Sequence, residues 1–514
     1  MMKLFNHLQH SLFILSLLLL SHYSNARHLQ KPSPAKNARP NVVYIFADDL
    51  GYGDVGAYGQ LKIKTPNLDK MAKDGMRFTQ HYTSTPVCAP SRCMLMTGRN
   101  GGHSYIRDNY ELGAFADSLE GGQMPLPEGT FTIGHLMQQA GYTTGAIGKW
   151  GLGLHSNTGD PNKQGFNFFY GYLDQKQAHN YYPSHLWKNG SWDKLNNPFI
   201  DVHKRQAKEL ITPASLEAYK GKDYAVDKLT ANALQFIQDN KSAPFFLYLP
   251  YTLPHSALQV PDDEINYYID LFKEKPVLTL SNYIPTYYPL STYAAMVTYL
   301  DKQVGMVQEQ LLKLGLDQNT IIMFSSDNGP AASAVELGGN FFKSAGPFRG
   351  MKQDLYEGGI REPFIVMWPG KIKPGSVSDL ISVQYDMMAT LSEITGVKAP
   401  PNDGISFLPT MLGNNAMQKK RAYIYFEFPE KGGQVAIRMG DWKGVRRNVK
   451  QNVNAPWELY NLAVDIGEKN DVSAANPAIV QQLKELAKKE HRCSHVREWE
   501  FVDPKFANVR ETSP

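Results

Sequence analysis

Two polar pairs, Asp48-Asp49 and Asp327-Asn328, each stand directly after a short apolar run. Carboxylate and amide oxygens suit a hard cation, Ca2+ or Mg2+, rather than zinc. One such pair alone reads equally well as a solvated turn. Two pairs, each delivered by the end of a buried strand, favour a metal. Lys149 and His255 follow two further apolar runs, and Lys352 lies in the glycine-rich stretch 349–359. Cations gathered beside a metal can hold an anionic group and stabilise charge that develops on its oxygens. His255 adds a group whose ordinary pKa suits proton transfer near neutrality.

The elements that must position these residues are legible in the apolar pattern. Residues 41–47, 143–147, 244–249, 320–325 and 363–368 are short and apolar on both faces, as expected of buried parallel strands. Between them lie helical patterns at 67–75, 131–141 and 292–315, the first opened by Thr65-Pro66 and closed by Gly75. Strands alternating with helices predict an α/β fold with a large, mostly parallel sheet. In such sheets ligands bind beyond the carboxyl ends of the strands. Asp48, Lys149, His255 and Asp327 therefore arrive at one edge from four separate runs.

The chain has 514 residues, room for two or three domains at about 100–200 residues each. Its net charge of +4 and lack of a dense basic run give no reason to invoke nucleic acid. Lys3, the apolar stretch 12–20 and Ser24-Asn25-Ala26 read as a signal peptide over residues 1–26, followed by a leader over 27–40. The expectation is export, to the periplasm or outside the cell, with no stable membrane span. A main domain is expected over 41–405. A smaller α+β unit follows over 406–514, with antiparallel strands near 421–427, 434–438 and 457–462 and a helix at 477–490. Segment 155–240, rich in Tyr, Asn, Gly and Trp, reads as long surface loops shaping a cleft, with Tyr181, Tyr182 and Trp187 available to stack on sugar rings. There are 3 cysteines; Cys93 and Cys493 are the only two left to pair if Cys88 is consumed chemically.

Cys88 begins the run Cys88-Ala89-Pro90-Ser91-Arg92-Cys93-Met94-Leu95-Met96-Thr97-Gly98-Arg99. Its form, C-x-P-S-R-x-x-L-x-T-G-R, resembles the signature of the type I sulfatases of the alkaline phosphatase superfamily. Phe46-Ala47-Asp48-Asp49, Gly148-Lys149-Trp150, Pro254-His255, Ser326-Asp327-Asn328-Gly329 and the Lys352 stretch are similar to further motifs of that family, and the resemblance runs from about residue 40 to about 475. It implies an alkaline-phosphatase-like α/β/α sandwich. It also implies oxidation of Cys88 to formylglycine by a formylglycine-generating enzyme that reads the unfolded chain. A Ca2+ ion, or Mg2+, would contact Asp48, Asp49, Asp327, Asn328 and the modified Cys88, and would act as a Lewis acid. The aldehyde hydrate would attack sulfur, and its second hydroxyl would then expel sulfate, a step no serine could perform. Arg92 would neutralise charge beside the nucleophile, Lys149 and Lys352 would bind sulfate, and His255 would bind it and protonate the leaving alkoxide.

One departure stands out. The family motif usually reads G-K-W-H, its histidine serving sulfate release, whereas here Gly151 follows Trp150. His155 and His179 are the candidates to fill that space. The expected activity is hydrolysis of sulfate esters on a sulfated carbohydrate. Two alternatives stand beside it: a phosphonate monoester or phosphodiester hydrolase of the same superfamily, and a protein that binds sulfated glycans without hydrolysing them.

Overall fold

In the computed structural model, residues 39–203, 211–278, 283–331 and 341–502 are described. The expected signal peptide and nearly all of the leader lie outside the described residues. Among those described, no helix is long and apolar enough to cross a membrane.

The centre of the molecule is an eleven-stranded sheet. Its middle consists of β1 (Asn41–Ala47), β5 (Thr143–Lys149), β6 (Phe168–Tyr172), β9 (Phe245–Pro250) and β10 (Thr320–Ser326), ordered β10-β1-β9-β5-β6 and all parallel. Every residue of β1 is buried, and its two faces enter different cores. Val43 and Ile45 pack with α1 (Pro66–Asp74), α4 (Ala225–Asp239) and α5 (Pro289–Lys313). Val42, Tyr44 and Phe46 pack with α2 (Cys88–Thr97), α3 (Ile133–Gln139) and α6 (Asp386–Thr395). This is an α/β/α sandwich. Its strands read as continuous apolar runs because both faces are covered, each fully buried large side chain contributing about 1.5–3 kcal/mol.

Two expectations need correction. The run at 363–368 belongs to β11 (Arg361–Met367), which pairs antiparallel with both β10 and β2 (Met76–Tyr82). Apolarity on both faces reports burial and says nothing of direction. Among its described residues segment 155–240 is not surface loop throughout: it contributes β6, β7 (His185–Lys188), β8 (Ser191–Lys194) and α4. Tyr181, Tyr182 and Trp187 are buried, so they pack the interior rather than wait for sugars. Gly171 shows why its composition misleads. Its φ is +144°, and a Cβ there would sit 2.1 Å from the Gly148 carbonyl oxygen, so the glycine marks a tight strand contact and not a loop.

The C-terminal part forms a separate antiparallel sheet, β14 (Ile424–Phe428), β15 (Gln434–Met439), β16 (Trp442–Arg446) and β17 (Trp457–Asn461), followed by α7 (Pro477–Glu490). One face packs Phe426, Phe428, Ala436 and Val445 against Tyr82, Val87, Leu355 and Ile360 of the main layer. The other face takes Leu483 and Ala487 of α7. Between the two parts Lys443 of β16, fully buried, lies 3.0 Å from Glu357 and 2.9 Å from Glu468. Cys93 is buried and Cys493 exposed, with no disulfide between them.

Candidate active site

Strand register explains why the acidic residues meet. β1 and β10 run in step to Ala47↔Ser326, so Asp48 and Asp327 leave the sheet side by side. Asp49 then takes a left-handed φ of +64°, which turns the chain so that two consecutive carboxylates face one space. Asn328 Nδ2 donates to Asp49 Oδ1 at 2.8 Å, and Asp49 N donates to Asp327 Oδ1 at 3.1 Å. Asp48, Asp49, Asp327 and Asn328 are each at most 2% exposed.

The cations close around this group. Lys149, the last residue of β5, donates to Asp48 Oδ2 at 2.6 Å. Arg92, one turn into α2, donates to Asp327 Oδ2 at 2.9 Å and to the Lys149 carbonyl at 2.8 Å. Lys352 Nζ reaches Asp49 Oδ1 at 2.7 Å. His255 Nε2 stands 3.5 Å from Asp49 Oδ2. Cys88, the first residue of α2, has its Sγ 3.5 Å from Asp48 Oδ1 and 3.3 Å from Lys352 Nζ. Thr83 and Ser91 hydroxyls both donate to the Asp327 carbonyl, and Gln384 donates to that of Ser326, fixing the end of β10.

Burial decides the protonation states. It raises Asp48, but Lys149, His255, Arg92 and Lys352 together outweigh it and hold this carboxylate well below its ordinary range. Asp327 goes the other way, pushed up by burial and then by the Asp48 charge. The Cys88 thiol is pushed up to about 12, chiefly by burial, against the pull of Lys149 and Lys352. It is therefore a protonated thiol at neutral pH and a poor nucleophile as encoded. Burial pushes His255 down to about 4, so it is neutral when the site is empty of substrate.

The oxygens fit a hard cation. Three buried carboxylates crowd together, which raises Asp327, and Asn328 Oδ1 is buried with no hydrogen-bond partner. A divalent ion would answer both conditions. Asp48, Asp49, Cys88 and His255 also place one potential ligand atom each within 4.8 Å of one another.

A sulfatase family model matches residues 40–397, and a model described as N-sulphoglucosamine sulphohydrolase, C-terminal, matches residues 350–493. The chain belongs to the sulfatase family. This sulfatase is 31% identical to N-acetylgalactosamine-6-sulfatase of Rattus norvegicus over 87% of its own length and 78% of the relative's. It is 30% identical to N-acetylgalactosamine-6-O-sulfatase of Bacteroides thetaiotaomicron over 89% and 94%. Among solved structures, Ps i-CgsB in complex with k-i-k-neocarrahexaose is similar at a TM-score of 0.71 and 29% identity, over 92% of this chain and 97% of that one.

Nine residues singled out from the sequence of this sulfatase thus converge: Asp48, Asp49, Cys88, Arg92, Lys149, His255, Asp327, Asn328 and Lys352. The two substitutes for the missing motif histidine fare differently. His179 stacks on His255, ring centroids 4.2 Å apart and planes within 7°. His155 packs instead on Trp187 at 4.4 Å and shares no hydrogen bond with the cluster among the described residues. Gly151 itself has φ +72°, and a Cβ there would lie 2.8 Å from Gln175 Cγ. Residues the sequence did not single out complete the surroundings. His203 Nε2 is 3.1 Å from His179 Nδ1, and the Tyr283 ring meets His179, His203 and His255 at 5.2–6.0 Å. No motif marks these residues; they stand near the site only through folding. Tyr181, put forward from the sequence for sugar stacking, instead places its hydroxyl 2.6 and 2.8 Å from the carbonyls of Thr252 and His255, bracing the loop that carries His255.

Proposed function

We propose that this sulfatase releases sulfate from a sulfated carbohydrate, with formylglycine made from Cys88 as nucleophile and Ca2+, or Mg2+, as its resident ion. The observation that carries the reading is the setting of Cys88: a thiol held protonated, at the start of a helix, between the Asp48 carboxylate and the Lys352 ammonium. Such a thiol has no use as a thiolate, whereas the same position suits a converted side chain. The carbohydrate assignment draws on the names of the similar proteins above.

Asp48, Asp49, Asp327 and Asn328 would hold the ion, which when bound polarises a sulfate oxygen and orients the nucleophile. Lys149 and Lys352 would then be drawn from the carboxylates toward the anionic ester, and Arg92 would keep Asp327 and Asp48 in place. His255 would protonate the leaving oxygen. Its neutral state before binding is consistent with that role, because the negative charge of the bound ester raises its proton affinity as catalysis begins. Residues 1–26 would direct export to the periplasm or the medium, with conversion of Cys88 by a formylglycine-generating enzyme before folding buries it.

The test is sulfate release from a panel of sulfated mono- and polysaccharides by protein co-produced with that enzyme, with Cys88→Ala as control. Peptide mass spectrometry verifies conversion. Release by the converted protein alone supports the proposal and names the sugar. Confirmed conversion without release from any sulfated substrate would sink it and turn attention to phosphonate monoesters, phosphodiesters and plain glycan binding.

A further inference from the structure

Gln175 is a buried carboxamide, 5% exposed, on the turn that follows β6. It fills the space left open by Gly151, whose absent side chain is what admits it: Gln175 Cγ, Cδ and Oε1 would lie 2.8, 3.1 and 3.4 Å from a Cβ at position 151. Its backbone is anchored, N donating to Gln123 Oε1 at 2.8 Å. Its side-chain Nε2 donates to Asn109 Oδ1 at 3.3 Å. That same Asn109 oxygen accepts the Ala89 N–H at 3.0 Å. Ala89 is the residue after Cys88, in the first turn of α2, where backbone N–H groups lack helical partners. The Gln175 Oε1 is buried with no hydrogen-bond partner.

We propose that Gln175 is a positioning residue for the nucleophile, acting through Asn109 on the backbone of the Cys88–Ala89 turn. This rests on the sulfatase reading of Cys88 and deepens it. The Nε2–Asn109–Ala89 chain fixes the first turn of α2 and so aims the side chain at 88. The unpartnered Oε1 is left as a free buried acceptor beside this chain. A carboxamide neither gains nor loses a proton near neutrality. The space at Gly151 is thus occupied by a hydrogen-bonding group and not by a base.

The experiment compares wild type, Gln175→Ala, Asn109→Ala, the double variant and Asn109→Asp, all co-produced with a formylglycine-generating enzyme. The probe is the sulfated saccharide on which wild type is active, and rates are expressed per converted Cys88 by peptide mass spectrometry. Misaiming the nucleophile should lower kcat by about tenfold or more in each alanine variant, with KM changed less than about threefold. The double variant should be no worse than the weaker single one, because both cut one chain. Asn109→Asp should retain most of the activity, since a carboxylate oxygen accepts from both Gln175 and Ala89. The pH profile of kcat should keep its shape in Gln175→Ala. A loss of less than twofold in kcat, additive losses in the double variant, or a fall in Tm that accounts for the lost activity would each overturn the inference. A silent wild type would overturn the functional reading itself and this one with it.

Discussion

Lys352 Nζ sits 3.3 Å from Cys88 Sγ while contacting both oxygens of Asp49 at 2.7 and 2.9 Å. Burial works against its charge, but the Asp49 and Asp48 carboxylates more than compensate, so it remains an ammonium beside Cys88. Lys352→Ala should lower kcat/KM by about 10²–10³, the range for losing one charge-stabilising donor. Arginine should not rescue it, because a planar guanidinium cannot occupy a position shared among Asp49 and the residue at 88. Full activity in Lys352→Ala, with conversion of Cys88 verified, would remove this lysine from the site.

Chelation should abolish sulfate release, and Ca2+ should restore it. Binding to the folded state alone adds about 2.7 kcal/mol of stability at a hundredfold excess over Kd, so Tm should rise with added Ca2+. Asn328→Ala removes the unpartnered amide oxygen and should shift the Ca2+ dependence to higher concentration; it also removes the donation to Asp49, so the metal-free Tm should fall as well. Zinc should not substitute in an all-oxygen set. Activity indifferent to exhaustive chelation would show that the carboxylates serve only to balance Arg92, Lys149 and Lys352.

With His255 pushed down to about 4 by burial, the free enzyme holds little imidazolium at neutral pH. If His255 donates the proton, kcat/KM should decline as pH rises above about 4, since that ratio reports the free enzyme. The kcat profile, set by the complex, should hold to higher pH because the bound anion raises His255. His255→Gln should lose the acid-dependent limb in both. A kcat/KM that instead climbs with pH through this region would assign His255 as a base.

Stability should carry its own pH signature at His491. Burial lowers its pKa, but hydrogen bonds and charges from Glu427 and Glu500 prevail and raise it to about 9. Glu427 is itself tied to Arg107 and to the Tyr425 hydroxyl. A group raised in the folded state stabilises fully below its unfolded pKa of about 6.5 and loses that contribution as pH rises through about 9. Relative to His491→Gln, wild type should be more stable by about 2–3 kcal/mol at mildly acid pH, with the difference shrinking in alkali. Denaturant unfolding of both proteins across that range is the measurement, and a gap independent of pH would contradict it.

How far the sequence could be read differs from residue to residue. The Asp48 and Asp327 pairs were legible because unbroken apolar runs end in acids only where a buried strand leaves the sheet. Cys88 was legible because it opens an uninterrupted local pattern, Cys88 to Arg99, that can be read without the fold. The direction of β11 was not, since the same apolar run serves either orientation. Tyr181 and Trp187 were misjudged because aromatic side chains fill cores and line clefts with equal ease. Gln175 and Asn109 are common residue types with no spacing rule, and their meaning comes only from which oxygen each one reaches. β16 was hidden by the two-residue turn at Gly440-Asp441 that joins it to β15.

Lys443 gives the C-terminal sheet a role beyond packing. Its ammonium neutralises Glu357, which closes the same stretch that presents Lys352, and Glu468 completes the group from beyond β17. Gln434 of β15 grips that stretch again through the Gln353 carbonyl and the Leu355 N–H. A gene truncated near residue 405, or a chain nicked there and stripped of its tail, would leave Glu357 with Arg361 as its cation and would uncover the apolar face formed by Tyr82, Val87, Leu355 and Ile360. No amino-terminal fragment should therefore inherit the activity, and a premature stop late in the reading frame should be as inactivating as a change at Cys88.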